Sequence, residues 1–271
     1  MPDNRVRALR RAISLPPVPP VLQAWDEPTL CHGFLGREGG CSRGPYASLN
    51  LSYWVKDNSR SVDVNWQRAR RLMPLGVRFA QVKQVHGKAI DTIGPRAAVE
   101  PRPEGDGLVT TMPGVVLCIF TADCVPVLLA DKDRGVVGAL HAGWRGTLAG
   151  IAGAGVRAMV RQGAEASAIS ALLGPSIGPC CFEVDDELAR RFGRRFDRAH
   201  AHVHPSDHAG KAYLDLRGII ADQLALAGLR PAEIRKVGPC TKCESNRYFS
   251  RRAAGGSVTG LQLSFVGRFA T

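Results

Sequence analysis

Val115-Val116-Leu117-Cys118-Ile119-Phe120, closed by Thr121-Ala122-Asp123-Cys124, and Val136-Val137-Gly138-Ala139-Leu140, closed by His141-Ala142-Gly143-Trp144-Arg145-Gly146, organise the reading of this chain. Both are apolar runs of strand length that halt at a side chain able to bind a metal. Short runs near 107–111 and 125–130, bounded by Gly, Pro or Asp, predict further strands beside them. Side chains from distant parts of a chain converge at the ends of neighbouring strands, so Cys124 and His141 are candidates to meet.

Working outward, Cys31 to Leu35 predicts a first strand. A Gly-rich turn over 36–44 and a polar loop over 46–52 follow it. Val62 to Leu75 has helical periodicity and stops before Gly76. Phe79 to Val85 and Lys88 to Ile93 predict a hairpin around His86-Gly87, and a Pro-rich loop lies at 101–105. Thr147 is placed to cap a helix running to Gln162. Ile169 to Leu173 predicts a buried strand, and helices are expected near 185–198 and 215–227, the second begun by Asp215. Ile234 to Val237 and Gly260 to Val266 supply late strands. Strands and helices alternate irregularly without an internal repeat, which predicts a single α/β (α+β) domain with mixed sheets. Residues 1–30, Arg-rich and then Pro-dense at Leu15-Pro16-Pro17-Val18-Pro19-Pro20, read as a basic arm before a domain spanning 31–271.

The 271 residues suffice for a sizeable core. No apolar stretch approaches the roughly 18 residues of a membrane span, and Met1 to Ser14 lacks the apolar segment of a secretory signal. A cytoplasmic protein that avoids membranes is expected. With 36 basic against 24 acidic residues, the net charge of +12 can steer an anionic ligand. Arg190, Arg191, Arg194, Arg195 and Arg198 fall at helical spacing and predict one basic outer face. No zinc-finger or aromatic RNA-binding pattern accompanies them, which argues against nucleic acid as a partner. Eight cysteines in a chain of this length are too sparse for a disulfide scaffold.

The chemistry concentrates at Gln84-Val85-His86-Gly87 and the two strand ends quoted first. Two imidazoles, His86 and His141, and the Cys124 thiolate suit zinc with one position left open, the pattern of a catalytic site. Asp123 is placed either to orient a ligand imidazole or to cap its loop. At His141 to Thr147 a strand ends, Gly143 lets backbone approach a ligand, and a helix start with Arg145 suits phosphate. Cys180 and Cys181 are adjacent, so on an extended chain one of them at most is expected to be functional. Cys240-Thr241-Lys242-Cys243 is a C-x-x-C without a partner pair. His200, His202, His204 and His208 read as an exposed loop with adventitious metal affinity. Asn246 to Arg252 mixes basic and aromatic residues that can supply arginines, Arg251 among them, to an anion.

Together with Gly39-Gly40 to Asn50-Leu51, Gly105-Asp106-Gly107, Gly174-Pro175-Ser176-Ile177-Gly178-Pro179 and Arg251-Arg252, these motifs resemble the YfiH family over residues 31–267. That family was named for a polyphenol oxidase (laccase) domain and is also called purine nucleoside phosphorylase or peptidoglycan editing factor. The resemblance implies a four-layer α/β/β/α fold and a zinc held by His86, Cys124 and His141, with copper as the other metal to consider. It implies phosphorolysis of adenosine, guanosine and inosine to free base and ribose 1-phosphate, with S-methyl-5'-thioadenosine cleavage and adenosine deamination beside it. Asn50, Gly143, Arg145 and Arg251 are the expected phosphate and substrate contacts, on a monomeric protein. This chain departs from the family pattern at Tyr53-Trp54-Val55-Lys56-Asp57-Asn58, at Asn65-Trp66 and at Phe182, positions that bear on substrate preference.

Other chemistries remain open at this point. The zinc deaminases use a glutamate in H-x-E, which neither His86 nor His141 has; Asp123 would have to replace it. A cysteine hydrolase acting on peptidoglycan precursors would use Cys124 as nucleophile and His86 or His141 as base. A copper polyphenol oxidase would need more histidines than the seven present, four of them in one segment.

Overall fold

In the computed structural model, which describes residues 18–95 and 103–269, the central strands are buried on both faces. Along Val115–Thr121, Val115, Leu117 and Ile119 enter one hydrophobic cluster, while Val116, Cys118 and Phe120 enter another. The same two-residue alternation divides Val125–Asp131: Leu128 and Ala130 join the cluster of Leu117, and Val127 and Leu129 join a third. A strand with no solvent face must be covered by a layer on each side.

In chain order the strands are β1 (Val21–Leu22), β2 (Leu30–Leu35), β3 (Arg78–Ala80), β4 (Ile90–Ile93), β5 (Gly107–Thr110), β6 (Val115–Thr121) and β7 (Val125–Asp131). They continue with β8 (Val136–Ala142), β9 (Ser170–Leu173), β10 (Glu183–Asp185), β11 (Val203–Pro205), β12 (Lys211–Leu214), β13 (Ile234–Lys236) and β14 (Gln262–Arg268). The helices are α1 (Ser59–Arg70), α2 (Trp144–Ala149), α3 (Ile151–Arg161), α4 (Asp186–Arg195) and α5 (Leu216–Leu226). One mixed sheet has the order β1-β2-β14-β6-β3 and a second the order β13-β9-β7-β8-β5-β4; a small third sheet runs β10-β12-β11.

The two large sheets face each other across Phe34, Leu108, Leu117, Ile119, Leu128, Val137, Ala139 and Leu172. Helix α1 covers the outside of the first through Val62, Trp66 and Ala69, and α3 and α5 cover the outside of the second through Val156, Met159, Ile220 and Leu224. This is the four-layer α/β/β/α arrangement. Leu117 and Leu128 are wholly buried, and each such side chain contributes about 1.5–3 kcal/mol.

Several local expectations shift. The predicted hairpin at 79–93 does not form. β3 pairs in parallel with β6 in the first sheet, and β4 pairs in parallel with β5 in the second. The segment between them is a crossover from sheet to sheet. The helix expected from Thr147 to Gln162 is two helices, because Gly150, with φ of 87°, ends α2 and precedes α3. Thr147 lies inside α2, its hydroxyl donating to the Gly143 carbonyl, so it is not the cap. Helix α1 starts earlier than predicted, at Ser59, because the Asn58 side chain accepts from the Ser61 N–H. Asp215 caps α5 as expected, accepting from Gly218 N–H.

Of the expected basic arm, residues 1–17 lie outside the described residues, as do 101–102 of the Pro-rich loop. Residues 21–22 add a strand to the first sheet, and the Ala24 and Trp25 N–H groups donate to His32 Nε2. Among the described residues no helix is long and apolar enough to cross a membrane.

Candidate metal centre

The chain passes from the first sheet to the second at 81–89 and again at 122–124, and these crossovers carry His86 and Cys124. His141 stands at the end of β8. Single ligand atoms of the three lie within 4.8 Å of one another. The His86 and His141 rings meet nearly edge to face, with centroids 4.8 Å apart. His141 is buried, Cys124 half-buried and His86 exposed, so the group opens to solvent on the His86 side.

Asp106 organises the group from behind. Antiparallel register sets Gly107 of β5 against Leu140 of β8, which brings the preceding Asp106 beside His141. One carboxylate oxygen lies 2.7 Å from His141 Nδ1 and accepts from His86 N–H at 2.9 Å. The other accepts from Gly87 N–H at 2.6 Å and Val85 N–H at 3.3 Å. A single buried carboxylate therefore fixes the His141 ring with Nε2 on the Cys124 side and shapes the loop presenting His86. His86 has a φ of 61°, a left-handed conformation rare for a residue with a side chain, and the three N–H bonds to Asp106 hold it there. Gln84 anchors the same loop to β6: its amide donates to the Phe120 carbonyl and accepts from the Phe120 N–H, both at 2.8 Å.

Glycines make the close approach possible. A Cβ on Gly143 would lie 3.0 Å from Cys124 Sγ and 3.1 Å from His86 Cδ2, and one on Gly146 would lie 2.6 Å from the Gly87 carbonyl oxygen. The small residues after His141 thus let this strand end seat against His86 and Cys124.

Burial opposes ionisation of Cys124, but the charges and hydrogen bonds of His141 and His86 outweigh it and lower its pKa to about 6. Burial likewise opposes protonation of His141, yet Cys124 and Asp106 raise its pKa to about 9. The site stabilises a thiolate, the form in which cysteine binds metal. Two imidazoles and one thiolate at this spacing suit a four-coordinate ion with one position left for substrate.

Asp123 does not orient an imidazole; Asp106 does. With φ of 88°, Asp123 turns the crossover, and its two oxygens accept from Thr241 Oγ1 and Arg252 N–H, each at 2.7 Å. The sequence offers Asp106 only within the motif Gly105-Asp106-Gly107, without a role; the signal is an acid set between two glycines at the mouth of a buried strand.

The expected substrate contacts fall differently. Gly143 is in the group. Arg145 is exposed one residue beyond Trp144, whose ring carries the Arg145 guanidinium at 4.3 Å and that of Arg191 at 5.9 Å. Arg251 is exposed, next to the Arg252 that bonds Asp123. Asn50 is fully buried, and its amide donates to Ser52 O and Asp57 Oδ2 of its own loop and accepts from Ser52 N–H and, across the fold, Leu261 N–H.

Among the described residues the histidines at 200–208 belong to no metal-ligating group, and they lie on a short helical turn, on β11 and in the turn before β12. His202 pairs with Asp222 and His208 with Glu183. In contrast, Cys180, Cys181, Cys240 and Cys243 come together, against the expectation that C-x-x-C lacked a partner pair and that one of the adjacent cysteines must point away. Residues 179–181 form a turn, not an extended strand, so successive side chains are free to converge. A cavity of about 620 Å³ lined by Trp66, Arg70, Phe79 and Asp91 opens between α1 and β3 and includes none of His86, Cys124 and His141.

The family model described as multi-copper polyphenol oxidoreductase laccase matches residues 31–268. A purine nucleoside phosphorylase of Deinococcus radiodurans is 39% identical over 239 residues, covering 87% of this chain and 88% of its own. An adenosine deaminase, RL5, from an unknown prokaryotic organism is 38% identical over 224 residues, covering 79% of this chain and 84% of its own. The crystal structure of YlmD from Geobacillus stearothermophilus superposes with a TM-score of 0.83 at 33% identity, over 93% of this chain and all of that one.

Proposed function

Because the chain belongs to the multi-copper polyphenol oxidoreductase laccase family, we propose that His86, Cys124 and His141 hold a single catalytic zinc and that the reaction is phosphorolysis of purine nucleosides. The observation that carries this is the convergence of three protein ligands, two from sheet-to-sheet crossovers, on a centre open to solvent. Relatives named purine nucleoside phosphorylase, covering most of their own lengths, support the substrate class. Among the described residues the other group able to hold a metal is four cysteines without a histidine, which does not suit the several copper centres of an oxidase.

The reaction breaks the bond from base nitrogen to C1' of the ribose and joins a phosphate oxygen to that carbon, so the base leaves with the bonding electrons. Zinc, when bound, supplies Lewis-acid polarisation. Asp106 keeps the His141 proton on Nδ1, and Cys124 stays a thiolate. Arg145 and Arg191, sharing the Trp144 ring, offer two guanidiniums for phosphate beyond the Gly143 turn, with Arg251 as a further cation. Half-exposed Trp54, edge-on to the Phe120 that Gln84 grips, is an apolar face for a purine. The same reading places the protein in the cytoplasm as a monomer.

Two further readings have specific support. RL5 brings adenosine deamination, but Asp123, the acid that would have to replace the missing glutamate, has both oxygens engaged by Thr241 and Arg252. Cys124, His141 and Asp106 also stand in the nucleophile, base and carboxylate order of a thiol hydrolase. Incubating metal-quantified protein with adenosine and inosine, with and without phosphate, separates the three. Phosphate-dependent adenine and hypoxanthine that disappear on chelation are expected. Inosine from adenosine would move the assignment to deamination. No turnover of nucleosides, with hydrolysis of peptidoglycan precursors surviving chelation, would move it to the hydrolase.

A further inference from the structure

The four remaining clustered thiols form a site of a different kind. Cys180 and Cys181 come from the turn after Gly174 to Pro179, and Cys240 and Cys243 from the turn after β13. All four sulfurs lie within 4.8 Å of one another, and Cys243 Sγ is 3.6 Å from that of Cys180 and 3.5 Å from that of Cys181. Zinc–sulfur bonds of roughly 2.3 Å place the sulfurs of a tetrahedral tetrathiolate about 3.8 Å apart. The observed spacing suits one ion; an iron–sulfur cage needs its thiolates spread more widely.

The surroundings are those of a thiolate ligand. Gly178 N–H donates to Cys240 Sγ at 3.2 Å. The backbone N–H groups of Lys242 and Cys243 also donate to that sulfur, so three amides converge on one thiol. This is how a C-x-x-C turn prepares its first cysteine for a metal: the loop closes around the sulfur and orients it. The Arg252 guanidinium donates to the carbonyls of Cys181 and Glu183, bringing positive charge beside the cluster.

We propose that Cys180, Cys181, Cys240 and Cys243 bind a second zinc, in a closed tetrathiolate site that is structural. Loading converts four thiols and one Zn²⁺ into a tetrathiolate of net charge −2 and releases four protons. No ligand position is left for substrate. The ion ties the 176–181 turn to the 240–243 turn, which already touch where Thr241 N–H donates to Ser176 O. From between the two C-x-x-C cysteines, Thr241 holds Asp123, the residue preceding Cys124. The second site therefore braces the turn that presents a ligand of the first. The proposal stands independently of the nucleoside reaction.

The test counts metal on the full chain, loaded with zinc under reducing conditions and freed of excess by gel filtration. Two zinc ions per chain are expected for the native sequence, one for Cys243→Ser and one for His86→Ala. Cobalt substitution of the native protein gives an independent readout that needs no variant: intense tetrathiolate absorption should appear and persist in His86→Ala. Cys180→Ser, at an exposed turn, repeats the count if Cys243→Ser does not fold. One zinc per chain in the native protein, with Cys243→Ser unchanged, overturns the proposal. So does a mass two hydrogens lighter per pair under reducing loading, which would make the cluster a disulfide. Loss of nucleoside activity with two zincs still bound would defeat only the phosphorolysis reading.

Discussion

His86, Cys124 and His141 are held by strand ends and crossovers of the buried sheets with one carboxylate behind them. Cys180, Cys181, Cys240 and Cys243 hang on two surface turns with backbone N–H groups behind them. The first group has three donors and an open face; the second has four donors and none to spare. Ligand number and rigidity thus separate a site built to exchange ligands from one built to fasten loops, although both use sulfur.

The contrast is broken most severely by removing a ligand of the open group. Cys124→Ala, verified as folded by circular dichroism, is expected to lose nucleoside turnover to background and to bind one metal fewer, while the tetrathiolate site stays loaded. Retention of full activity would remove the three-ligand group from the mechanism.

A smaller effect follows from the carboxylate, for which the closed group has no counterpart. Asp106→Asn cannot accept as strongly from His141 and from three backbone N–H groups at once. Metal affinity at the open group should fall about 10–100-fold, read by competition with a chromogenic chelator. An unchanged affinity would mean that packing alone orients His141.

Close approach comes next. Gly146→Ala forces a Cβ to within 2.6 Å of the Gly87 carbonyl, a backbone atom that cannot swing aside, and should cost about 1–3 kcal/mol in urea unfolding. The effect should centre on the open group and leave the four-thiol site loaded.

The mildest test sharpens the comparison of thiols. In metal-free protein, only the thiolate of Cys124 alkylates, so its reaction with iodoacetamide should rise through a midpoint near pH 6 and decline below it. Cys181, pushed up to about 11 first by burial, should stay slow across the same range. Peptide mass spectrometry resolves the two; an ordinary midpoint near 9 for Cys124 would mean that His141 and His86 do not stabilise its charge.

The same contrast explains what the sequence disclosed. Cys124 and His141 end apolar runs whose strand character is written in their composition, so their convergence could be argued from strand ends. His86 was found by residue type, but its loop was misread as a hairpin tip, because nothing local distinguishes a turn from a crossover between sheets. Asp106 is visible in the Gly105-Asp106-Gly107 motif, but its role is not, because it depends on the register of β5 against β8, a long-range property. The four-thiol group was missed because a turn at 179–181 replaces the extended geometry that would have sent Cys180 and Cys181 apart. The existence of helix α1 is legible from its periodicity, although the Asn58 cap and both ends are not, and Asp215 is legible as a cap because capping is local; Gly150 hides a break because glycine is tolerated within helical patterns.

Strand β14, residues 262–268, lies between β2 and β6 in the first sheet. During synthesis that slot stays vacant until residues 262–268 have been made, more than 140 residues after β6, and the unpaired edges of β2 and β6 are until then open to other chains. The crossover carrying Cys124 leaves directly from β6. Assembly of the His86, Cys124 and His141 group thereby waits for residues 262–268, and a nascent chain halted before residue 262 should call on chaperones rather than on metal.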